Sequence, residues 1–416
     1  MSLLALVWSY LKARPLNTCI NILLLSLGIA VITILLLFSR QMEQKLQDNV
    51  RGVDLVVGAK GSPLQLILCN IFHIDFPTGN IKLAEAEKIS RNRLIKSAIP
   101  LALGDSYNSF RIVGTNREYS TLYSAVIGQG SWWNEDLEVT IGANVQQSSG
   151  LQIGDEFTSS HGLTMGGSAH NDHMYKVTGI LERTNSVLDN LILTNVESIW
   201  KMHQEHDTIA SQLPAKADQH LLYSKLVPSV SASDSVVEIT SLLILYRSPL
   251  AAVQLPRLVN SQTSLQAASP AFESARLFSI LGVGIDVLQG FGYILILISA
   301  LSIFIALYNS LKERRYDLAI MRSMGASRSK LFNSVLLEGG LLTLGGTLIG
   351  LLLGHGVLML LSAVVVETSK AGITGLVFYG EEGIILAASL LLGLLCALIP
   401  AIQAYGTDIS KVLAGN

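Results

Sequence analysis

Four long apolar runs constrain this chain more than any other feature of its sequence. They cover residues 17–40, 285–310, 331–364 and 383–404. About 20 mostly apolar residues suffice to cross a hydrocarbon core of roughly 30 Å, and each run is long enough. Half of the 416 residues are hydrophobic and only 14% are charged, which is too apolar for an ordinary soluble domain. We therefore predict an integral membrane protein with four transmembrane helices.

The first run follows a short amphipathic segment. Residues 1–16 place Leu4, Trp8 and Leu11 on one helical face, which is typical of a helix that lies in the membrane interface. A cleaved signal peptide is the alternative for residues 17–40. That run is longer than a signal-peptide core, however, and no small-x-small cleavage site closes it. We predict an uncleaved first span.

A large domain separates the first two spans. Residues 41–284, named here the inserted domain, are numerous enough to form their own core. Residues 81–92 have a helical composition, whereas residues 109–113 and 237–246 have the β-branched and aromatic character of strands. From residue 270 to residue 288 the pattern becomes helical and leads into the second span, which suggests a stalk. We predict an α+β domain.

The loops between spans set the orientation in the membrane. Residues 311–330 carry six basic side chains against two acids, whereas residues 365–382 carry one lysine against three acids. Because basic loops stay in the cytoplasm, residues 311–330 are predicted to be cytoplasmic and residues 365–382 extracytoplasmic. The inserted domain is then extracytoplasmic, and both termini, including the tail at residues 405–416, are cytoplasmic.

The cytoplasmic loop contains a short amphipathic helix. Its sequence, residues 313–326, is Glu-Arg-Arg-Tyr-Asp-Leu-Ala-Ile-Met-Arg-Ser-Met-Gly-Ala. Tyr316, Ala319, Ile320 and Met324 recur at spacings of three and four and form one apolar stripe, and a glycine follows as a helix stop. Such a helix can rest in the lipid headgroups or dock into a groove of another protein, and the residues alone leave both open.

Several classes of function lack the residues that they need. The chain has no Gly-x-x-x-x-Gly-Lys-Ser/Thr loop to hold nucleotide phosphates, since the nearest stretch, residues 58–62, lacks the spacing. It also has no Gly-x-Ser-x-Gly elbow and no His-Glu-x-x-His helix. A net charge of −2 argues against nucleic acid as a partner. We expect a protein that is not itself an enzyme.

The layout of one span, a large domain, and three further spans with a charged helix after the second resembles the permease subunits of MacB, FtsX and LolC/LolE-type ABC transporters. The similarity extends over essentially the whole chain. It is strongest in the amino-terminal helix and first span, in residues 141–155, in residues 313–326 and in residues 400–413.

The resemblance implies a stand-alone permease in the bacterial inner membrane. Two permease chains would assemble with two copies of a separate ATPase subunit, which binds ATP and Mg²⁺, and nucleotide-driven closing would move the periplasmic domains. Residues 313–326 resemble the cytoplasmic element that contacts the ATPase. The residues that this assigns to coupling are Glu313, Arg314, Arg315, Tyr316, Asp317, Ile320, Met321, Arg322, Met324 and Gly325.

Histidine is concentrated in one part of the inserted domain. Six of the eight histidines lie between residues 161 and 220, in a stretch that resembles a loop of family members associated with zinc uptake. Imidazole and carboxylate groups suit Zn²⁺. Solvated loop side chains are the alternative interpretation. The candidate metal ligands are His161, His170, Asp172, His173, His203 and His206.

Other polar residues lie inside the apolar runs. Glu338, an acid in the third span, is expected to cap a neighbouring helix or to meet a basic residue of the cytoplasmic loop. His355 is expected to pack against a serine or a backbone carbonyl group. The glycines between residues 339 and 354 form a small-x-x-x-small face that suits a dimer contact. In the inserted domain, the pair at residues 132–133, two tryptophans, is expected to anchor a loop.

Three functions remain open. The first is transport of a periplasmic cargo such as a lipoprotein, a peptide or a metal carrier. The second is an FtsX-like signalling permease, which activates a periplasmic partner such as a cell-wall hydrolase and transports nothing. The third is a zinc-linked module. Each predicts a periplasmic protein, lipoprotein or metal ion at the inserted domain.

Overall fold

The structure is a computed structural model that describes residues 3–161, 174–203, 237–364 and 372–406. The chain divides into two compact units. The membrane unit comprises Met1–Met42 and Leu281–Asn416, and the inserted domain comprises Glu43–Ile280. These boundaries lie within four residues of the predicted ones.

Helices form the membrane unit and the flanks of the inserted domain. They are α1 (Leu3–Ala13), α2 (Pro15–Val50), α3 (Pro63–Asn70), α4 (Leu83–Ser90), α5 (Arg117–Leu122), α6 (Ala143–Ser149), α7 (Val196–His203), α8 (Ala251–Gln262), α9 (Pro270–Glu313), α10 (Arg315–Ser323), α11 (Arg328–Val364) and α12 (Gly380–Tyr405), with a 3-10 turn at Val187–Asn190.

Strands occur in the inserted domain. They are β1 (Leu55–Ala59), β2 (Ile81–Lys82), β3 (Ile95–Tyr107), β4 (Phe110–Gly114), β5 (Ile127–Gly130), β6 (Glu138–Ile141), β7 (Glu156–Phe157), β8 (Ser160–His161), β9 (Tyr175–Leu181), β10 (Leu191–Thr194), β11 (Glu238–Ile239), β12 (Ser241–Tyr246) and β13 (Leu265–Ala268).

Within the described ranges, four helices are long and apolar enough to cross a membrane, which confirms the predicted spans. They are α2, α9, α11 and α12. Two of them extend far beyond the apolar run: α2 continues to Val50, and α9 begins at Pro270 and runs for 44 residues to Glu313. The helical pattern predicted for residues 270–288 is therefore the first part of the second spanning helix.

Small residues let the spans approach one another closely. A Cβ atom added at Gly350 would lie 2.6 Å from Cβ of Ile29, and one added at Gly346 would lie 2.8 Å from Leu25, so α11 packs against α2 along this glycine face. This part of the small-residue face is therefore used within the chain, and a dimer contact through residues 339–354 stays a prediction. The glycines are needed inside the chain because any side chain there would separate the two helices.

The inserted domain is built on a mixed sheet. Its strand order is β13-β1-β12-β3-β4-β10-β6-β9-β5, with β7 paired to β9 and β8 paired to β3, and β2 and β11 form a separate two-stranded ladder. The pairs β4–β10 and β6–β9 are parallel, and the other pairs are antiparallel. Strand β3 joins the two halves, since Ile99 faces Leu243 of β12 and Leu103 faces Val113 of β4.

The sheet is buried on both faces. On β12, Leu242 and Ile244 pack into one hydrophobic cluster with α4, α6, α7 and α8, whereas Leu243 packs into another with α3 and α5. Because both faces are covered, the central strands read as continuous apolar runs rather than as an alternating pattern. This confirms the predicted α+β class and the strands predicted near residues 109–113 and 237–246.

Candidate functional site

The candidate site is the sharp turn that joins the second and third spans. Helix α9 ends at Glu313, Arg314 interrupts the helix, and α10 then runs for nine residues. Gly325 adopts a φ of 98°, which a glycine tolerates, and the amide of Ala326 donates to the carbonyl oxygen of Met321 at 2.9 Å. This arrangement is a Schellman motif, and it ends α10 as the sequence predicted.

The inner face of α10 is fixed to the ends of α11 and α12. Leu318 and Ala319 are buried, and Met321 packs beside them half-buried. Their apolar neighbours are Leu311, Leu331, Val335, Ala401 and Ala404. Burying one leucine side chain contributes about 1.5–3 kcal/mol, so these contacts hold the short helix in one position.

The outer face of α10 is exposed. Tyr316 and Met324 expose 58% and 75% of their surface, with Arg315 and Asp317 exposed beside them. The predicted apolar stripe is therefore divided, because Ala319 faces inward with no exposed surface. Two large apolar side chains among charges remain available to a partner.

A buried ion pair holds the turn between α9 and α10. The Nη2 group of Arg314 donates to both carboxylate oxygens of Glu338, at 2.8 and 3.1 Å, and the two side chains are only 15% and 10% exposed. This confirms one of the two roles predicted for Glu338, contact with a basic residue of the loop at residues 311–330. The pair joins the α9–α10 turn to the interior of α11.

Helix α1 joins the same network. The guanidinium carbon of Arg314 lies 4.1 Å from the ring centroid of Tyr10, and Arg14 forms an ion pair with Glu313. Burial raises the pKa of the Tyr10 hydroxyl, an effect that Arg314 partly offsets, so the ring stays neutral and presents its electron-rich face to the cation. The remaining predicted residues, Ile320 and Arg322, are half-buried on the sides of α10.

The arrangement holds no nucleophile paired with a base. It offers an exposed surface on α10 whose base is held by apolar contacts and by two ion pairs. Such a surface suits protein docking.

A second polar cluster lies elsewhere in the membrane unit. The Nδ1 atom of His355 lies 2.6 Å from the carbonyl oxygen of Gly375, as predicted for a packed histidine, and its Nε2 atom lies 3.0 Å from Glu382. Gln41 exchanges two hydrogen bonds with the backbone of Thr374, at 2.8 and 2.9 Å. These contacts fasten residues 372–379 to the helix ends. The sequence shows an acid near a loop but not its buried histidine partner.

The histidine cluster falls mostly outside the described residues. His170, Asp172, His173 and His206 lie outside them, and for His161 and His203 only the backbone is described, at the ends of β8 and α7. Among the residues that the structure describes, no group of three or more His, Cys, Asp or Glu side chains could hold a metal ion. Zinc binding stays a prediction.

The loop tryptophans act as an anchor. Trp133 is buried in the core, with Trp132 packed against the same hydrophobic cluster. Arg117 lies over both rings, 5.4 and 5.5 Å from their centroids, and donates to the Trp133 carbonyl oxygen at 2.8 Å. The prediction of a loop anchor is confirmed.

In the part of the chain that the structure describes, four spans, one mixed-sheet domain after the first span and a short amphipathic helix after the second define a class of multi-pass membrane protein. Two family models match the chain: the MacB-like periplasmic core domain over residues 18–239 and the FtsX-like permease C-terminal domain over residues 290–409. The chain therefore belongs to the family of MacB/FtsX-type ABC transporter permeases, and its inserted domain is the periplasmic domain of that family.

Solved structures and curated proteins complete the comparison. The periplasmic region of MacB from Actinobacillus actinomycetemcomitans is 13% identical, with a TM-score of 0.33, over 56% of this chain and 98% of that one. The extracellular domain of the noncanonic ABC-type transporter YknZ from Gram-positive bacteria is 10% identical, with a TM-score of 0.28, over 52% of this chain and 99% of that one. No curated protein matches the sequence.

Proposed function

We propose that this chain is the permease subunit of an ABC transporter in the bacterial inner membrane, with both termini in the cytoplasm and ATP hydrolysed by a separate subunit. The observation that supports the proposal is the exposed face of α10, which carries Tyr316 and Met324 on a base fixed by burial and ion pairs. The six basic residues of the surrounding loop favour a cytoplasmic location.

The coupling would be mechanical. An ATPase that closes on ATP and Mg²⁺ displaces α10, and the network of Arg314, Glu338 and Arg14 carries α1, α9 and α11 along with it. Helix α9 continues without interruption from Glu313 back to Pro270 in the inserted domain. Two permease chains and two ATPase subunits would form the working assembly.

The inserted domain would act on a periplasmic protein or lipoprotein. The match to the FtsX-like permease model also fits a second candidate, a signalling permease that activates a periplasmic hydrolase and transports nothing. A deletion strain distinguishes the two. Cell chaining that is relieved by an active hydrolase supports signalling, whereas accumulation of a lipoprotein, a peptide or another cargo supports transport.

Zn²⁺ is the metal that we propose for this system, on the concentration of histidines between residues 161 and 220. Calorimetric titration of Zn²⁺ into the full chain should show binding that is lost when His161, His170 and His173 are changed to alanine. Equal heats of Zn²⁺ binding for both proteins would support the alternative interpretation, in which these histidines are solvated loop residues.

Docking on α10 is tested by co-purification with the proposed ATPase subunit. Tyr316→Ala combined with Met324→Asp removes the two exposed apolar side chains, and we expect at least about a tenfold loss of bound ATPase. Met174→Asp is the matched control, because Met174 is also half-exposed but belongs to the inserted domain.

The choice of variants matters because α10 has two faces. Met321→Asp would place a charge in the apolar cluster beside Leu318 and disturb folding rather than docking. Undiminished ATPase binding by the Tyr316 and Met324 double variant would contradict the proposal and favour a helix that rests in the lipid headgroups.

A further inference from the structure

A cavity of about 750 Å³ opens on the inserted domain, away from the residues used above. The loop between α4 and β3, helix α5 and the end of β12 enclose it. Its charged lining consists of Arg91, Arg93, Lys96 and Arg247 against a single carboxylate, Glu118. A concave surface with this imbalance concentrates a positive potential.

Three of the four cations lack a carboxylate partner among the described residues. Arg91 pairs with Glu87 at 3.3 Å, whereas no ion pair within the described ranges involves Arg93, Lys96 or Arg247, and all three are exposed. Like charges that line one cavity repel one another. An anion in the cavity would relieve that repulsion.

Backbone hydrogen bonds fix the main chain that carries these cations. The amide of Arg247 donates to the carbonyl oxygen of Leu94 at 2.9 Å, which fixes the end of β12 beside the loop that carries Arg93. Within that loop the amide of Leu94 donates to the side-chain oxygen of Asn92 at 3.0 Å, and the amide of Ile95 donates to the Asn92 carbonyl oxygen at 2.9 Å. The loop is therefore ordered before any ligand binds.

We propose that this cavity binds a ligand that carries two or more negative charges on phosphate groups. Arginine guanidinium groups match phosphate oxygens in a planar, two-pronged geometry, and Arg91, Arg93 and Arg247 all line the cavity. The volume falls within the usual range for small-molecule sites, roughly 300–1,000 Å³, so it accommodates a diphosphate or a phosphorylated headgroup. The site is independent of the coupling proposed for α10.

The test is calorimetric titration of inorganic pyrophosphate into the full chain in neutral detergent. Arg93→Ala, Lys96→Ala and Arg247→Ala combined should weaken binding at least about tenfold, the effect of losing one charged hydrogen bond or more. Glu118→Gln should tighten binding, because it removes the only carboxylate of the lining.

The matched control removes three charges elsewhere on the same domain. Lys60, Lys88 and Arg257 are exposed and do not line the cavity, so their combined alanine variant should bind pyrophosphate within about twofold of the unchanged protein. No saturable binding by the unchanged protein, or an equal loss in both triple variants, would overturn the proposal.

Two further titrants identify the source of the phosphate. Tighter binding of a short-chain phosphatidylglycerol than of glycerol phosphate indicates a lipid headgroup, and equal binding indicates a soluble phosphate compound. If hexaglutamate binds and pyrophosphate does not, the cavity receives an acidic protein segment and the phosphate assignment is overturned.

Discussion

The buried pair of Arg314 and Glu338 stabilises the turn between α9 and α10. Two charges that have left water are tolerated only while they neutralise each other, and here one guanidinium nitrogen reaches both carboxylate oxygens. Losing either side chain strands the other charge at 15% exposure or less. This ion pair therefore contributes more to holding α10 in position than an exposed ion pair would.

We expect Glu338→Ala to lower the stability of the membrane unit by about 3 kcal/mol, because Arg314 loses its counter-charge. The fraction of protein that stays monodisperse in detergent after heating measures this as a lower midpoint temperature. Glu381→Ala is the control, since its ion pair with Arg40 is far more exposed and such pairs contribute little to stability. Equal shifts in both variants would contradict the buried role of Glu338.

His73 in the inserted domain makes stability depend on pH. Its backbone has a φ of 56°, and its Nε2 atom lies 2.8 Å from the hydroxyl of Tyr119. Burial, assisted by the positive charge of Arg111, lowers the pKa of His73 from 6.5 to about 3. Between these two pH values, His73 is protonated in the unfolded chain but neutral in the folded domain. The free energy of unfolding therefore falls as the pH decreases.

The expected loss from His73 is at most about 1.4 kcal/mol per pH unit below pH 6.5. His73→Asn should remove this component, since asparagine tolerates the same backbone conformation. Urea unfolding at pH 6.5 and pH 5, followed by tryptophan fluorescence, measures it. Burial raises the pKa of Glu197 to about 7, which acts in the opposite direction, so only the difference between the two proteins isolates His73. An unchanged pH dependence would contradict the assignment.

Among the elements, α11 depends on which face each of its glycines presents. We expect Gly350→Val to reduce the yield of folded protein, because the new side chain would meet Ile29 and overpacking costs about 1–3 kcal/mol. Gly356→Val in the same helix carries the same propensity cost, but a Cβ there meets nothing within 4 Å. Monodisperse yield after purification compares the two. Similar yields would show that α2 and α11 can separate at no cost.

The sequence predicts elements where local physics is sufficient. Membrane thickness fixes the four spans, and a glycine with positive φ ends α10, so both were predicted correctly. The buried face of α10 could not be predicted from the sequence. Leu318 rather than Tyr316 is buried because its packing partners, such as Ala401, are distant in sequence. The partnership of His355 with Glu382 is hidden for the same reason, since 27 residues separate them.

At the scale of the whole molecule, α9 is one of two helices that belong to both units. It begins at Pro270 in the inserted domain and ends at Glu313, next to α10, with no break between them. Transmission of force along it requires a stiff helix. Gly284 is an exposed position in the middle of this helix, and a Cβ there would meet nothing within 4 Å.

We expect Gly284→Pro to uncouple the two units, because proline removes a helical hydrogen bond and kinks the helix at a cost of about 3 kcal/mol. Spin labels at Lys88→Cys, with Cys19 and Cys396 changed to alanine, report the distance between the two inserted domains of a dimer. In the unchanged helix that distance should shift when ATP is added to the complex with the ATPase, and in Gly284→Pro it should stay constant while the ATPase remains bound.

Gly284→Ala is the control, and it should preserve the shift because alanine favours the helix over glycine by about 1 kcal/mol. A shift that survives the proline would mean that movement reaches the inserted domain through α2 rather than α9, since α2 is the other helix that continues from one unit into the other.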